Sequence, residues 1–137
     1  MVSEYKVNGG DFTMAGVASS EVKKNLKQLG VSPAVIKRVV VALYEAEVNI
    51  VAHAYRGVIR VEIAADGIKM VLEDEGPGIP DIGLAMTRGY STASSTVREM
   101  GFGAGMGLPN ISENATNFTI ESVPGKGTTL SIEVKFS

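Results

Sequence analysis

The sequence predicts a two-layer α+β domain in which helices cover one face of a mixed β-sheet. The predicted elements follow the order helix, helix, strand, strand, long loop, helix, strand, strand, which is typical of that architecture. The 137 residues are enough for one domain with a substantial core. Hydrophobic residues make up 45% and charged residues 20%, a mixture that excludes a disordered chain. We therefore expect one domain over residues 1–137.

Charge and cysteine content exclude several classes of function. Lys and Arg total 13 against 15 for Asp and Glu, a net charge of −2, so the basic stripe of a nucleic-acid-binding protein is not expected. The chain has no cysteine and one histidine, which excludes disulfides, thiolate chemistry and zinc fingers. Neither a signal peptide nor an apolar run of about 20 residues is visible. We expect a cytoplasmic protein with no nucleic-acid or membrane partner.

The first half of the chain predicts an edge strand and two helices. The strand covers residues 4–7, and a helix over residues 11–29 places its apolar residues on one side and its lysines outside. A serine N-cap followed by proline starts a second helix over residues 34–54. This helix is apolar over much of its circumference, so we expect it to be buried and to be ended by Gly57.

The second half of the chain predicts two β-hairpins with a helix between them. Strands over residues 58–64 and 68–72 are joined by an Ala-Asp-Gly turn, a good hairpin signal. Strands over residues 118–123 and 128–136 flank a Pro-Gly-Lys-Gly turn, and a helix over residues 108–115 precedes them.

The segment between the hairpins is unusually long. Residues 81–88 form a short helix at best, and residues 89–107 are rich in Gly, Ser and Thr with little apolar periodicity. Loops of this length within a compact domain are usually functional lids or disordered segments, and both interpretations stay open.

Three polar residues share one face of the second predicted helix. Glu45, Asn49 and His53 are spaced four apart, and polar groups on such a helix must meet water, a ligand or one another. A satisfied polar seam is one interpretation. The other is a site, since a carboxylate and an amide one turn apart are suited to hold a hydroxyl and Mg²⁺. Glu47 points elsewhere and is predicted to be a surface charge.

An Asp-x-Gly-x-Gly pattern follows the third predicted strand. Asp74 can accept a hydrogen bond from an exocyclic amine, and Gly76 and Gly78 allow the backbone to approach a flat ligand closely. Taken alone, the pattern is more often an acidic surface turn.

Four glycines at alternate positions, 101, 103, 105 and 107, directly precede the third predicted helix. Backbone amides near a helix N-terminus form an anion site suited to phosphate. The segment lacks the Lys-Ser/Thr ending of the Walker loop and does not follow a first strand as a dinucleotide fingerprint does. We interpret it as a phosphate-binding segment in preference to a linker.

Together and in this order, the three motifs resemble the N, G1 and G2 boxes of the GHKL ATPases, which share the Bergerat ATP-binding fold. The resemblance covers residues 11–136 and includes a closing Gly127-Thr128 pair. Within that superfamily the chain looks like the stand-alone serine kinases of bacterial partner-switching systems, the anti-sigma factors and their RsbT-type relatives. The segments most similar to the RsbT branch are residues 73–82, 89–92 and 103–109.

The resemblance implies a role for each motif residue. Glu45 is the catalytic base, Asn49 coordinates Mg²⁺, and Asp74 reads the adenine amino group with Thr128 nearby. Residues 89–101 form a lid, in which Arg98 either reaches the γ-phosphate or is a solvated charge. The other residues implied at the nucleotide are His53, Gly76, Gly78, Ile79, Gly101, Gly103, Ala104, Gly105, Met106, Gly107 and Leu108.

The resemblance further implies an ATP-dependent serine/threonine protein kinase with ATP and Mg²⁺ as cofactors. Its substrate is a serine of a STAS-domain antagonist protein, it binds a sigma factor or another regulator, and a homodimer is expected by analogy. The alternatives are a non-catalytic ATP-binding module that sequesters a partner, a detached histidine kinase module and a degenerate nucleotide binder. An intact Glu45 favours the kinase over a non-catalytic module. No phosphoacceptor helix is visible, which argues against a histidine kinase module. All three motifs are retained, which argues against a degenerate nucleotide binder.

Overall fold

The computed structural model describes residues 1–79, 86 and 107–137. Within these residues the chain forms three α-helices, one short 3-10 turn and five strands. In chain order they are β1 (Val2–Asn8), the 3-10 turn (Phe12–Met14), α1 (Val17–Gln28), α2 (Pro33–His53), β2 (Arg56–Ile63), β3 (Gly67–Glu75), α3 (Gly107–Asn114), β4 (Asn117–Val123) and β5 (Gly127–Lys135).

The five strands form one sheet in the order β1-β2-β3-β5-β4. Both predicted hairpins are present, and β3 extends to Glu75, so the acidic step of the second motif lies within the strand. The prediction of a mixed sheet is wrong for the described residues, because every described pairing is antiparallel. β4 and β3 run in the same direction, but they do not pair with each other because β5 lies between them and is antiparallel to both.

The apolar core lies on one face of the sheet. Aligned cross-strand sets, such as Ile59 with Leu72 and Leu130, point to the same side and are buried there. α2 packs against β1, β2, β3 and β5, and the other two helices pack against α2. The opposite face carries cross-strand ion pairs, including Arg60 with Glu4 at 3.3 Å. The predicted two-layer arrangement with helices on one face is confirmed.

α2 begins where the sequence predicts and is the longest helix among the described residues. The Ser32 hydroxyl accepts a hydrogen bond from the Val35 N–H at 3.4 Å, so the predicted N-cap is in place. Nine of the 21 residues of α2 are buried. No helix in the described ranges is long and apolar enough to span a membrane.

Two glycines act differently from the prediction. The sequence predicts one helix over residues 11–29, but Gly16 has a φ of +96° and separates the 3-10 turn from α1. Such a left-handed backbone interrupts a right-handed helix. Gly57 does not end α2, because Ala54 already has an extended conformation and Gly57 lies inside β2. A Cβ at Gly57 would lie 3.0 Å from the Ile50 side chain, so this glycine packs closely against α2.

Glu47 is buried, contrary to the prediction of a surface charge. Only 2% of the residue is exposed, and its carboxylate accepts hydrogen bonds from the N–H groups of Ala18 at 3.1 Å and Ser19 at 3.3 Å. These are first-turn donors of α1 that have no partner within their own helix. Gly16 at the N-cap has no side chain to accept from them, so a carboxylate of α2 takes that part and also opposes the positive end of the helix dipole.

We predict that Glu47→Ala lowers the free energy of unfolding by about 2–3 kcal/mol, because two buried N–H groups of α1 lose a charged acceptor. Urea unfolding measures the change. Glu62→Ala, on the exposed face of β2, is the matched control and should change the value by less than about 0.5 kcal/mol. Equal losses in the two variants would show that the Glu47 cap does not stabilise the fold.

Candidate active site

The polar face of α2 meets the first turn of α3. Glu45, Asn49 and His53 are all half-buried along this face. A Cβ on Gly107, the first residue of α3, would lie 3.2 Å from Asn49 Oδ1 and 3.5 Å from Glu45 Oε2. The backbone that ends the glycine-rich motif therefore lies directly against the carboxylate and the amide of the first motif.

A residue that the sequence analysis did not identify also contacts Glu45. The side-chain amide of Asn110 donates to Glu45 Oε1 at 3.4 Å. Asn110 follows Gly107 by three residues on α3, so both lie on the helix face that meets α2. The spacing of three residues is visible in the sequence, but it points to a contact with Glu45 only when α3 is known to pack on α2.

The C-terminal end of α2 contacts the second motif. A Cβ on Gly76 would lie 2.9 Å from the Cα of Ala54, so only glycine allows the chain after β3 to pass this close to the helix end. The Gly76 N–H donates to the Lys126 carbonyl at 2.9 Å, which ties the same segment to the β4–β5 turn. His53 is the last residue of α2, and burial lowers its pKa, which favours the neutral imidazole.

Asp74 lies near the end of β3 and is partly exposed. Its Oδ1 accepts a hydrogen bond from the Thr128 N–H at 3.0 Å. Burial raises the pKa of Asp74, and the Thr128 hydrogen bond opposes that shift by favouring the carboxylate. The backbone of β5 therefore orients the carboxylate, and the hydroxyl of the buried Thr128 is 2.9 Å from the Ser122 hydroxyl. Oδ2 can accept a further donor from a ligand.

The turn after β3 is held by the second hairpin. Gly78 has a φ of +74°, and a Cβ there would lie 2.6 Å from the Val123 carbonyl oxygen. The Ile79 N–H donates to the Ser122 hydroxyl at 2.7 Å, and the Ser122 hydroxyl also contacts the Gly127 carbonyl at 3.2 Å. The sequence analysis missed Ser122. Its contacts with Ile79 and Gly127 depend on which face of β4 its side chain lies on, and the sequence motifs do not show that.

The remaining predicted site residues divide into two groups. Leu108 is 7% exposed and belongs to the core, so its backbone, and not its side chain, is what it can offer a ligand. The predicted helix over residues 81–88 and the loop over residues 89–107 lie outside the described residues except for Met86, which packs against the core, and Gly107. The predicted site residues outside the described part are Arg98, Gly101, Gly103, Ala104, Gly105 and Met106.

Comparison with known proteins identifies the family. The sequence profile of the histidine kinase-like ATPase domain matches residues 13–134. The chain belongs to this family. It is 37% identical over 117 residues to the serine/threonine-protein kinase RsbT of Bacillus subtilis strain 168, covering 82% of each protein. It is 36% identical over 92 residues to the anti-sigma F factor of Thermoanaerobacter sp. strain X514, covering 64% of this chain and 61% of that protein.

A solved structure has the same fold. The mycobacterial sensor histidine kinase MprB superposes with a TM-score of 0.56 at 15% identity, over 98% of this chain and 97% of that one. Family membership and this likeness confirm the predicted resemblance and the predicted fold class, apart from the mixed sheet corrected above. The match to RsbT confirms the predicted enzyme class, a serine/threonine protein kinase.

We predict that His53→Gln makes stability less sensitive to acid. Burial holds the pKa of His53 below its ordinary value of 6.5, so the unfolded chain binds this proton more readily than the folded chain as pH falls. Urea unfolding at about pH 7.5 and about pH 5.5 should show a larger loss of stability in the wild type than in the variant. His53 is the only histidine, so the difference isolates it. Equal losses would contradict the shift.

We predict that Gly127→Ala destabilises the protein by at least about 2 kcal/mol, because a Cβ there would collide with the Asp74 carbonyl oxygen. Gly125→Ala is the matched control in the same turn. Gly125 has a φ of +81° but open space around its Cβ position, so alanine should cost only about 1 kcal/mol of backbone strain. Thermal or urea unfolding measures both, and a smaller loss for Gly127→Ala would contradict the close contact.

Proposed function

We propose that this chain is an ATP-dependent serine protein kinase of a bacterial partner-switching system, and that it phosphorylates a serine of a STAS-domain antagonist protein. One observation carries the proposal: the Glu45 carboxylate and the Asn49 amide lie together against the first residue of α3. A proton acceptor, an oxygen ligand and a glycine backbone are the groups that phosphoryl transfer needs in one place. The similarity to RsbT supports the reaction class.

The donor set fits a magnesium ion held together with a nucleotide. Among the residues that the structure describes, no three His, Asp or Glu side chains come together to hold a metal by themselves. Mg²⁺ usually takes only one or two protein oxygens and completes its shell with waters and substrate phosphates. Asn49 Oδ1 would be such a ligand, and the bound ion would neutralise charge on the phosphates. The absence of a side chain on Gly107 leaves space beside this oxygen.

The carboxylate of Asp74 would accept a hydrogen bond from the adenine amino group. Its orientation is fixed by the Thr128 N–H, so a ligand meets an acceptor that is already positioned. Gly76 and Gly78 would present their backbone to the base, since their close contacts with Ala54 and Val123 hold the chain beside Asp74. Half-burial of Asp74 excludes part of the competing water and strengthens the hydrogen bond.

Glu45 would act as the general base. Asn110 engages Oε1, and Oε2 faces the start of α3, so Oε2 is the oxygen that would take the proton of the attacking serine hydroxyl. The serine oxygen would form its bond to the γ-phosphorus as the bond to the leaving ADP breaks. Positioning and charge neutralisation supply most of the acceleration in such reactions, and a base adds about 100-fold or more.

The similarity to an anti-sigma F factor supports a second candidate function. In this alternative the chain binds ATP and sequesters a sigma factor or another regulator, without turnover and as a homodimer by analogy. A pure binding module has no use for a proton acceptor at Glu45. Substitution of Glu45 therefore separates the two functions.

We predict that the wild type binds Mg-ATP and that Asp74→Asn weakens binding about tenfold or more, because the amide presents a weaker, uncharged acceptor. Glu45→Ala should keep the wild-type affinity within about threefold, since the base contacts the reacting hydroxyl and not the nucleotide. Isothermal titration calorimetry measures all three proteins. Glu73→Gln, an exposed neighbour on β3, is the control and should bind normally. A wild type that binds no Mg-ATP would overturn the proposed site.

Transfer is tested with γ-labelled ATP and the STAS-domain proteins of the source organism. The wild type should produce phosphoserine on one of them, and Glu45→Ala should lower the rate about 100-fold or more. Phosphoserine is located by mass spectrometry. ATP-dependent capture of a sigma factor by both proteins, with no phosphoserine formed, would instead favour the sequestering module.

A further inference from the structure

We propose that Asn110 is a positioning residue for Glu45, a role that rests on the proposed function. Its side-chain amide donates to Glu45 Oε1, and this hydrogen bond selects which carboxylate oxygen is presented to the acceptor hydroxyl. Asn110 does not contact the reacting atoms. It acts through Glu45 alone.

The two oxygens of Glu45 have different surroundings. Oε1 is 3.4 Å from the Asn110 amide nitrogen, and both side chains are partly buried. Oε2 faces Gly107, where a Cβ would approach it to 3.5 Å. A free glutamate rotates about three side-chain bonds, and fixing one oxygen restricts that rotation before substrate arrives. Oε2 is then held toward the start of α3.

The position of Asn110 is itself set by α2. Leu108 and Ile111 of α3 are buried in the core beneath it. At the far end of α3, Arg38 Nε donates to the Asn114 carbonyl at 3.1 Å, and the Asn114 side chain donates back to the Asn110 carbonyl at 2.8 Å. α3 is therefore attached to α2 at both ends, and the amide that meets Glu45 has a defined location.

Asparagine suits this position for a chemical reason. Its amide nitrogen is a neutral hydrogen-bond donor. It therefore orients the Glu45 carboxylate without a full positive charge, which would make that carboxylate a weaker proton acceptor. Aspartate has the same shape but offers only acceptor oxygens when ionised and would repel Glu45. Asn110→Asp therefore keeps the volume of the side chain while it replaces the hydrogen-bond donor by a like charge beside Glu45.

The first measurement is hydrolysis of Mg-ATP by the chain alone, with water in place of the serine hydroxyl. Asn110→Ala should lower kcat about tenfold and change KM for ATP less than about twofold. Asn110→Asp should lower kcat at least as much. Ser112→Ala, on an exposed position of the same helix, is the matched control and should keep the wild-type rate. Wild-type kcat in both Asn110 variants would overturn the proposal.

A double-mutant cycle shows whether Asn110 acts through Glu45. In the Glu45→Ala background, Asn110→Ala should change the residual rate less than about twofold, since there is no carboxylate left to orient. A tenfold loss in that background would assign Asn110 a different role and overturn the proposal.

The contact is also tested without turnover. The side-chain amide protons of Asn110 should shift in the NMR spectrum when Glu45 is replaced by Ala, whereas Ser112→Ala should leave them in place. Unmoved amide protons would overturn the contact even in an active kinase. The contact can also be present in a protein that is not a kinase. If the amide protons shift but the wild type binds Mg-ATP without hydrolysing it or transferring its phosphoryl group, the proposed kinase is overturned, and the positioning role with it.

Discussion

The burial of α2 against the sheet and against the other two helices is the constraint on which the structure depends. A helix in this position cannot leave polar side chains without partners, because buried polar groups need hydrogen bonds. Its polar residues meet that demand on two sides. Glu47 caps α1, while Glu45 faces the first turn of α3. One helix therefore fixes the helical layer and presents the candidate base.

Close backbone contacts bring the other half of the site to α2. Gly76 passes the helix end, Gly78 passes the β4–β5 hairpin, and Gly127 passes the carbonyl of Asp74. Each contact leaves no room for a side chain, so the glycines of the second motif and of the closing turn hold three elements at short range. In these three glycines the missing side chain therefore serves packing.

Local signals account for what the sequence could predict. The N-cap of α2, both hairpins and the order of the elements depend on neighbouring residues, and all three are present. The break at Gly16, the burial of Glu47 and the insertion of β5 beside β3 depend on tertiary packing, which no local pattern records. The same holds within the site. The motifs identify Glu45, Asn49 and Asp74, whereas Asn110 and Ser122 follow only from the way distant elements meet.

The position of the single histidine has a practical consequence. His53 is the last residue of α2, its backbone carbonyl lies beside Gly76 after β3, and no other side chain in the sequence gives imidazole resonances. A one-dimensional proton spectrum of unlabelled protein therefore contains an isolated reporter of this region. Occupancy between the helix end and the sheet can be followed from that signal at each step of a titration, before any partner protein has been found.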